Sequence, residues 1–310
     1  MLVCVAVVFV QRNRTRVTPP PPVPVVTMPP SEVRVRSVKS KEPPVAHVAG
    51  VAASVAVAVV CGDDPATADR YEARNDALRS IVRRRDLARN DVALLMAYVG
   101  STNDVLRAER AAALKNDVLN LLRNQDPVPE GLAELLVGML EADEISYPPV
   151  ELDYCIQHLG ALLGDVKETD LRDRIRAALV VAAGRKNLPY AGTALYSLAE
   201  DARGGAARDA ELKRLTLALC NPSANAIARI AAIQLAGQHG WREALPTLRK
   251  ALAGARRDTV VDMAAIGSIG LLGGPEDLPL LASMRVKGGV RLQPAVDAAI
   301  GRIRERSGTK

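Results

Sequence analysis

Aromatic side chains are scarce in this sequence of 310 residues. Phe, Trp and Tyr make up 3% of it, with one Phe, one Trp and six Tyr. Large β-sandwiches and barrels draw on aromatic and β-branched strands. Beyond the N-terminal leader, almost no segment alternates apolar and polar side chains with period two. Ala, Leu, Val and Arg dominate instead, so the composition favours an all-α fold.

Histidine is also scarce, and this limits the catalytic arrangements that the chain could build. Of the three histidines, His47 lies in the leader and His239 lies in a glycine-containing turn. No cluster of Ser, His and carboxylate can be argued, and no Gly-x-Ser-x-Gly occurs. The glycines at 267, 270 and 273 follow no strand, as a dinucleotide-binding loop would require. We therefore predict no catalytic residue and no cofactor.

Cysteine is too sparse for a disulfide framework, since the chain has four. Glu151, Cys155 and His158 share one helix face at spacing i, i+4, i+7. A closed zinc site needs four ligands, and no second Cys/His pair lies nearby. A partly buried helix face is the favoured interpretation, and no metal is predicted. In an exported protein Cys155 and Cys220 could pair, or both could be buried free thiols.

The net charge of +6 is concentrated in the leader. Residues 1–61 carry seven basic and two acidic side chains, which gives +5, and the other 249 residues carry only +1. A phosphate-binding surface would show a dense stripe of Lys and Arg in the folded part. We expect no nucleic-acid partner.

One unit is written twice between residues 221 and 285. Residues of the first copy recur 33 positions later, as Ala232 and Ala265 do. The series continues through three pairs more that share this offset: Gly237 and Gly270, Gly240 and Gly273, Leu248 and Leu281. A period of this length marks stacked helical units, none of which can bury its apolar face alone.

Each unit predicts a helix, a tight glycine turn and a second, shorter helix. Small residues line the first helix and allow close helix approach. Gly237 and Gly240, like Gly270 and Gly273, are predicted to stop that helix, because glycine accepts left-handed backbone angles. Earlier in the chain, helical periodicity predicts further helices over residues 67–85, 90–99, 103–123, 130–142, 150–163, 169–183, 190–202 and 207–220. The sequence thus predicts an α-solenoid, a superhelix of antiparallel helix pairs, over residues 62–310.

The run from Ala228-Arg229 through Gly237 and Gly240 to Ala244-Leu245-Pro246 resembles a HEAT repeat of the phycobilisome-lyase-like type. The resemblance implies that the first helix of each strong unit, residues 223–239 and 258–272, lines a concave face that binds a protein or peptide. Arg229 and Asp262 occupy matching positions there and form either a charge ladder or a contact with a partner. Trp241 is a further candidate anchor, or it packs over the repeat turn.

Two other function classes remain open beside this non-catalytic scaffold. One is a HEAT-repeat enzyme or enzyme accessory, because similar repeats occur in chromophore lyases and in helical DNA-repair glycosylases. Such a protein should show a cleft with perturbed acidic or histidine groups. The other is a purely structural assembly subunit.

Residues 1–61 read as a leader. Nine of the 20 prolines lie between residues 19 and 44, which predicts extended or disordered chain. Basic residues from Arg34 to Lys41 then precede the uncharged stretch Val45–Val60 and the small-x-small exit Ala56-Val57-Ala58, as in a secretory signal. We predict export to the periplasm or cell envelope, with a cytoplasmic location as the alternative. A membrane contact would come only through a poorly inserted N-terminal anchor or a lipidated Cys61.

Overall fold

The computed structural model describes residues 51–142, 146–201, 205–254, 258–287 and 289–308. The chain divides into two units, Met1–His47 and Val48–Lys310, and every described residue belongs to the second. The predicted proline tract and the basic start of the signal-like segment lie outside the described residues.

The described residues form fourteen α-helices joined by turns and bends. Short 3-10 turns at Arg242–Ala244 and Pro275–Asp277 lead into two of them. The helices are α1 (Val51–Cys61), α2 (Tyr71–Ile81), α3 (Arg89–Gly100), α4 (Ala108–Arg123), α5 (Leu132–Glu141), α6 (Pro149–Asp165), α7 (Thr169–Gly184), α8 (Ala191–Glu200), α9 (Ala206–Leu219), α10 (Ala226–Gln238), α11 (Leu245–Ala253), α12 (Thr259–Leu272), α13 (Leu278–Lys287) and α14 (Gln293–Ser307).

The helices of this unit stack in two layers. Helices α2, α4, α6, α8, α10, α12 and α14 contact one another in that order, and we call them the even layer. The remaining helices form the odd layer, and each contacts a neighbour of the even layer. This arrangement of stacked antiparallel pairs confirms the predicted all-α solenoid.

The repeated sequence fills the core of the stack in the expected way. Ala232 and Ala265 are fully buried, and so are Leu248 and Leu281 of the short second helices. Because alanine ends at Cβ, α10 and α12 can approach closely, while the leucines fill the wider space against the odd layer. Each helix pair therefore completes its core only with its neighbours.

Two of the four glycines predicted to stop helices have a different role. Gly237 lies inside α10 and Gly270 lies inside α12. A Cβ atom on Gly270 would come within 2.8 Å of the Cα atom of Ala299 in α14, and one on Gly237 would lie 2.8 Å from Ser268 Oγ. The prediction is wrong for these two, because they serve close contact between successive even helices.

Helices α10 and α12 end in two different ways. Gly240 has a positive φ of 73° just after α10, as predicted. Helix α12 ends at Leu272, and Gly273 is extended rather than left-handed. There Arg306 of α14 donates hydrogen bonds to the carbonyl oxygens of Gly270 and Gly273, each at 2.8 Å. A side chain from the next helix thus satisfies carbonyls that the helix end leaves open.

Helix α4 begins at Ala108 rather than at residue 103. The sequence Ser101-Thr102-Asn103-Asp104 predicts an N-cap, but the N-cap is Arg107, without a capping side-chain bond. Asp104 instead accepts hydrogen bonds from the Leu106 amide and from the side chains of Arg74 and Tyr98. The same side-chain oxygen chemistry that favours a cap serves a long-range contact here.

Helix α1 occupies the end of the segment predicted to be a secretory signal. Val57 and Val60 are fully buried, and α1 packs against α2 and α3. The Val60 carbonyl accepts a hydrogen bond of 2.9 Å from Arg74 Nε. The predicted boundary between the leader and the solenoid, after residue 61, therefore falls at the C-terminal end of a helix that forms part of the stacked core.

Among the described helices, none has the length and the continuous hydropathy that crossing a bilayer requires.

Candidate functional site

The structure places Arg229 and Asp262 at matching positions in the first turns of α10 and α12. Arg229 is half-buried and donates a hydrogen bond of 3.2 Å from Nη1 to the Pro222 carbonyl, within its own repeat. Asp262 is buried. This bond ties Arg229 to the loop before α10, so whether either residue contacts a partner stays a prediction.

Trp241 is half-buried at the turn between α10 and α11. Its ring stacks on His239, with ring centroids 4.6 Å apart and an interplanar angle of 24°. Its amide donates a hydrogen bond to the Ala236 carbonyl at the end of α10. Trp241 therefore packs over the repeat turn, and its contact with a partner stays a prediction.

The candidate metal ligands Glu151, Cys155 and His158 are all buried on α6, and each has a different partner. Glu151 forms an ion pair of 2.9 Å with Lys115 of α4. The Cys155 thiol lies 3.8 Å from the Met139 sulfur. His158 contacts Asn116 and Arg123 of α4. The three side chains point to separate contacts across the stack, and no cluster of three metal-ligating residues occurs within the described ranges.

His158 joins α6 to α4 as a neutral imidazole. Its Nε2 lies 3.1 Å from Asn116 Oδ1, and its Nδ1 lies 3.3 Å from Arg123 Nη1. Only Nε2–H can donate to the amide oxygen, which leaves Nδ1 to accept from the guanidinium. Burial, together with the Arg123 charge, lowers the pKa of His158 to about 4.

Cys155 and Cys220 are both free thiols. Both lie in the apolar interior, where burial raises the pKa of each to about 12. The structure thus resolves the open choice in favour of buried free cysteines.

A cavity of about 280 Å³ opens at the N-terminal end of the stack. One wall is Arg74, whose guanidinium donates to the Val60 and Ala68 carbonyls and to both Asp104 carboxylate oxygens at 2.9 and 3.2 Å. Tyr98 donates a hydrogen bond of 2.9 Å to the same carboxylate. Burial alone would raise the pKa of Asp104, but the bonds from Arg74, Leu106 and Tyr98 lower it.

The chemistry of this cavity is structural. Arg74 is almost wholly buried, and its guanidinium donates four hydrogen bonds to protein acceptors. Cys61 also lines the cavity, but burial raises the pKa of its thiol to about 12, whereas a reactive cysteine needs a lowered pKa. Burial likewise raises the pKa of Tyr98. These groups hold the loops around α1 and α4 and supply neither a nucleophile nor a general base.

A second polar cluster joins α7, α8 and α9. Asp201, at the end of α8, faces Arg176 at 3.1 Å, Arg208 at 3.6 Å and Arg172 at 3.7 Å. Arg208 also pairs with Asp173 at 3.1 Å. Because the Asp201 side chain is buried and the residue directly follows α8, the cluster fixes the orientation of the helices that it joins.

The exposed side of the even layer is the remaining candidate. We call it the even face, and its residues are Asp117, Asp153, Tyr154, Gln157, Tyr196, Ile227, Ile230, Gln234, Val260, Met263 and Leu271.

Side chains connect successive helices along the even face. Thr193 of α8 donates a hydrogen bond of 2.6 Å to Asp153 of α6, and Tyr196 of α8 donates one of 3.1 Å to Gln234 of α10. On α12, Val260, Met263 and Leu271 follow one another at helical spacing and are 38–53% exposed. The face is therefore polar at α6 and α8 and apolar at α10 and α12.

Sequence reasoning missed the polar half of this face. Residues 62–165 show helical character without a regular period, so Asp153 and Gln157 carried no positional signal. The apolar half did have one, because Ile227 and Val260 are 33 residues apart and both are more than half exposed. An apolar residue that recurs in both repeats outside the predicted core positions would have indicated a binding surface.

Layers of stacked helix pairs, with an extended exposed face, define a helical-repeat scaffold. Residues 212–298 match the model of the HEAT-repeat family, described as HEAT repeats. The chain therefore contains HEAT repeats, and the matched part runs from α9 into α14. The narrower, phycobilisome-lyase-like type stays a prediction.

The comparison with solved structures finds human deoxyhypusine hydroxylase in complex with glycerol. The similarity covers 82% of this chain and 98% of that chain, at 16% identity and a TM-score of 0.34. At that TM-score the likeness carries no argument about fold or activity. A search of curated proteins finds no match.

Proposed function

We propose that this protein is a non-catalytic scaffold that binds a segment of a partner protein on its even face. The observation that carries the proposal is the run of exposed apolar side chains on α10 and α12, which are more than a third exposed beside a closely packed core. Exposed apolar groups that gather on one side of a molecule are typical of interaction surfaces.

The chemistry of the neighbouring helices supports the same proposal. Gln157 and Gln234 each carry both a donor and an acceptor, so they can pair with the amide and carbonyl groups of a peptide backbone. Tyr154 and Tyr196 add large contact area at little cost in side-chain entropy. Helical repeats offer such contacts over several units in a row.

Selection of peptides from a displayed library of random 12-residue sequences tests the proposal with the full chain as bait. Enriched peptides are then bound to two variants, Met263→Arg on the even face and Val181→Arg on the exposed side of α7 in the odd layer. We expect Met263→Arg to weaken binding at least tenfold and Val181→Arg to leave it unchanged. Failure to enrich any peptide, or equal effects of the two variants, would overturn the proposed function.

We also propose export, which rests on the sequence of residues 34–60. The packing of α1 limits how the signal could be processed, because cleavage after Ala58 would remove most of the helix that covers α2 and α3. Export in a form that keeps residues 51–61 agrees with both observations.

Cell fractionation, followed by the intact mass of the isolated protein, tests this proposal. We expect the protein outside the cytoplasm, with an N-terminus before residue 51. Recovery from the cytoplasm would overturn the proposed location, and a mass that begins between residues 59 and 62 would overturn the retention of α1.

A further inference from the structure

We propose that the even face takes an extended peptide with a Lys or Arg side chain at α6 and apolar side chains at α10 and α12. The inference rests on the proposed function and adds the chemistry and spacing of the partner.

The basic side chain would bind Asp153. This carboxylate is half-buried, and its described partners are neutral: Thr193 Oγ1 at 2.6 Å and Gln157 Nε2 at 3.1 Å. Burial raises the pKa of Asp153, since two neutral hydrogen bonds do not replace the lost water. A cation from a partner would supply the missing charge and would be held by a preformed, oriented carboxylate.

Other groups near Asp153 favour a cation as well. Tyr154 lies beside both Asp153 and Asp117, whose charges add to burial in raising the pKa of its hydroxyl group. Its ring offers a face for a guanidinium or ammonium group. Arg79, whose charge acts on Asp117, pairs with Asp76, and Arg123 contacts His158. Neither forms an ion pair with Asp153 among the described residues.

Four interior carboxylates of this molecule are paired with a cation, whereas the described partners of Asp153, like the Ser54 hydroxyl group on the buried Asp91, are neutral. Asp104, Glu151, Asp201 and Asp277 each form an ion pair with Arg or Lys at 2.6–3.1 Å. Within the described ranges, Asp153 forms none. The chain thus supplies a cation to these buried carboxylates and leaves the one on the even face to its neutral neighbours.

The apolar end of the site is formed by matched positions of two repeats. Ile227 on α10 and Val260 on α12 are 56% and 53% exposed, and Met263 and Leu271 extend the surface along α12. Aliphatic side chains of a partner would bury this apolar area and so contribute to the binding free energy. Met263 is flexible and can adapt its shape to them.

Helix spacing predicts the spacing of the partner residues. Packed helices lie about 8–10 Å apart, so α6 and α10 are separated by about 16–20 Å, and α6 and α12 by about 24–30 Å. An extended chain covers about 3.3 Å per residue. The basic residue should therefore lie about five to nine residues from the apolar ones.

Three fluorescein-labelled synthetic peptides of 12 residues test the inference by fluorescence anisotropy with the full chain. The first has Lys at position 3 and Leu at positions 9 and 11 in a Ser/Asn/Thr background. The second replaces Lys by Glu, and the third replaces both Leu by Ser. Each is also made with its sequence reversed, because the direction of the bound chain is part of the question.

We expect the first peptide, in one of its two directions, to bind at least tenfold more tightly than the second and the third. Asp153→Asn keeps the shape and removes the charge, so it should reduce the preference for Lys over Glu to less than about threefold. Glu134→Gln, on an exposed position of α5 in the odd layer, should leave that preference intact.

Equal binding of the Lys and Glu peptides, or a preference that survives Asp153→Asn, would overturn this inference. If the Lys and Glu peptides bind equally well but both bind the Met263→Arg variant more weakly, the proposed function stands and only the partner chemistry is wrong. If none of the peptides binds, the stated chemistry is also wrong, and the library selection decides the proposed function separately.

Discussion

Single buried polar residues carry much of the specificity of this stack, because each is matched to a partner on another helix. Lys115 of α4 shows this at the residue scale. It donates to Glu151 Oε2 at 2.9 Å and to the Ser101 carbonyl at 2.6 Å, and both ionic side chains are about 95% buried. Such a pair depends on both members, since either charge alone would be buried without compensation.

Lys115→Met should therefore lower the free energy of unfolding by about 3–5 kcal/mol. The double variant Lys115→Met/Glu151→Leu should be more stable than the single variant, because it leaves no buried charge. Urea denaturation of the four proteins in the cycle measures this. A single variant as stable as the wild type would contradict the buried pair.

His158 makes a pH-dependent contribution to stability. Its pKa in the folded protein is about 4, below the ordinary value of 6.5. The unfolded chain binds the proton more readily, so this stabilisation is present above about pH 6.5 and is lost as the pH falls toward 4. Between pH 7.5 and pH 5 the loss should be about 2 kcal/mol.

Comparison with His158→Gln isolates that contribution, because the other titrating groups are common to both proteins. The wild type should lose about 2 kcal/mol more than the variant when urea unfolding is measured at pH 5 instead of pH 7.5. Parallel pH dependence of the two proteins would show that His158 is not held neutral.

Helices pack in this array through small residues at defined positions, and this is the main determinant at the element scale. Gly270 of α12 faces the backbone of Ala299 in α14, whereas Gly267, one turn earlier, has open space where a Cβ would lie. The packing therefore requires glycine at position 270 and leaves room for a larger side chain at position 267.

Gly270→Ala should destabilise the protein by about 1–3 kcal/mol, because α14 would have to move away. Gly267→Ala is the matched control and should stabilise it by up to about 1 kcal/mol through helix propensity. Thermal unfolding of both variants measures the difference, and equal effects would show that α12 and α14 are not in close contact.

The first helix provides a second test at this scale. Val57 of α1 is fully buried, whereas Val55 is 60% exposed. Val57→Ala should cost about 2 kcal/mol through the lost contacts and the cavity, and Val55→Ala should be close to neutral. If chemical denaturation finds Val57→Ala neutral as well, α1 does not belong to the folded unit.

The structure also shows why some elements could be predicted and others could not. The offset of 33 residues between Ala232 and Ala265 predicts stacked helix pairs, because repetition reveals the architecture without any knowledge of contacts. The packing of α1 could not be predicted, because an apolar helix buried against its neighbours has the same composition as the apolar centre of a secretory signal. The role of Gly270 depends on Ala299, and that pairing exists only in three dimensions.

The candidate site was harder to predict than the fold. The sequence singled out Arg229, Asp262 and Trp241 from the strong repeats, whereas the polar end of the even face lies on α6, where no period was visible. Asp153 is informative through its neutral partners, and the contact with Thr193 of α8 exists only in the folded structure.

At the scale of the whole molecule, the two layers of the solenoid have different roles. The odd layer contributes the short helices whose leucines complete the core, and the even layer adds an exposed side with both polar and apolar residues. A surface that crosses several repeats can hold an extended segment by many modest contacts. The proposed function therefore requires that a partner bind the even face.

Site-specific photocrosslinking tests this most directly. A benzophenone amino acid is placed at Gln234 on the even face or at Lys250, which is exposed on α11 of the odd layer. Each protein is irradiated with a peptide selected from the library, and the adducts are counted by mass spectrometry. The proposed function predicts adducts from position 234 and essentially none from position 250. Adducts mainly from position 250, or equally from both, would contradict it.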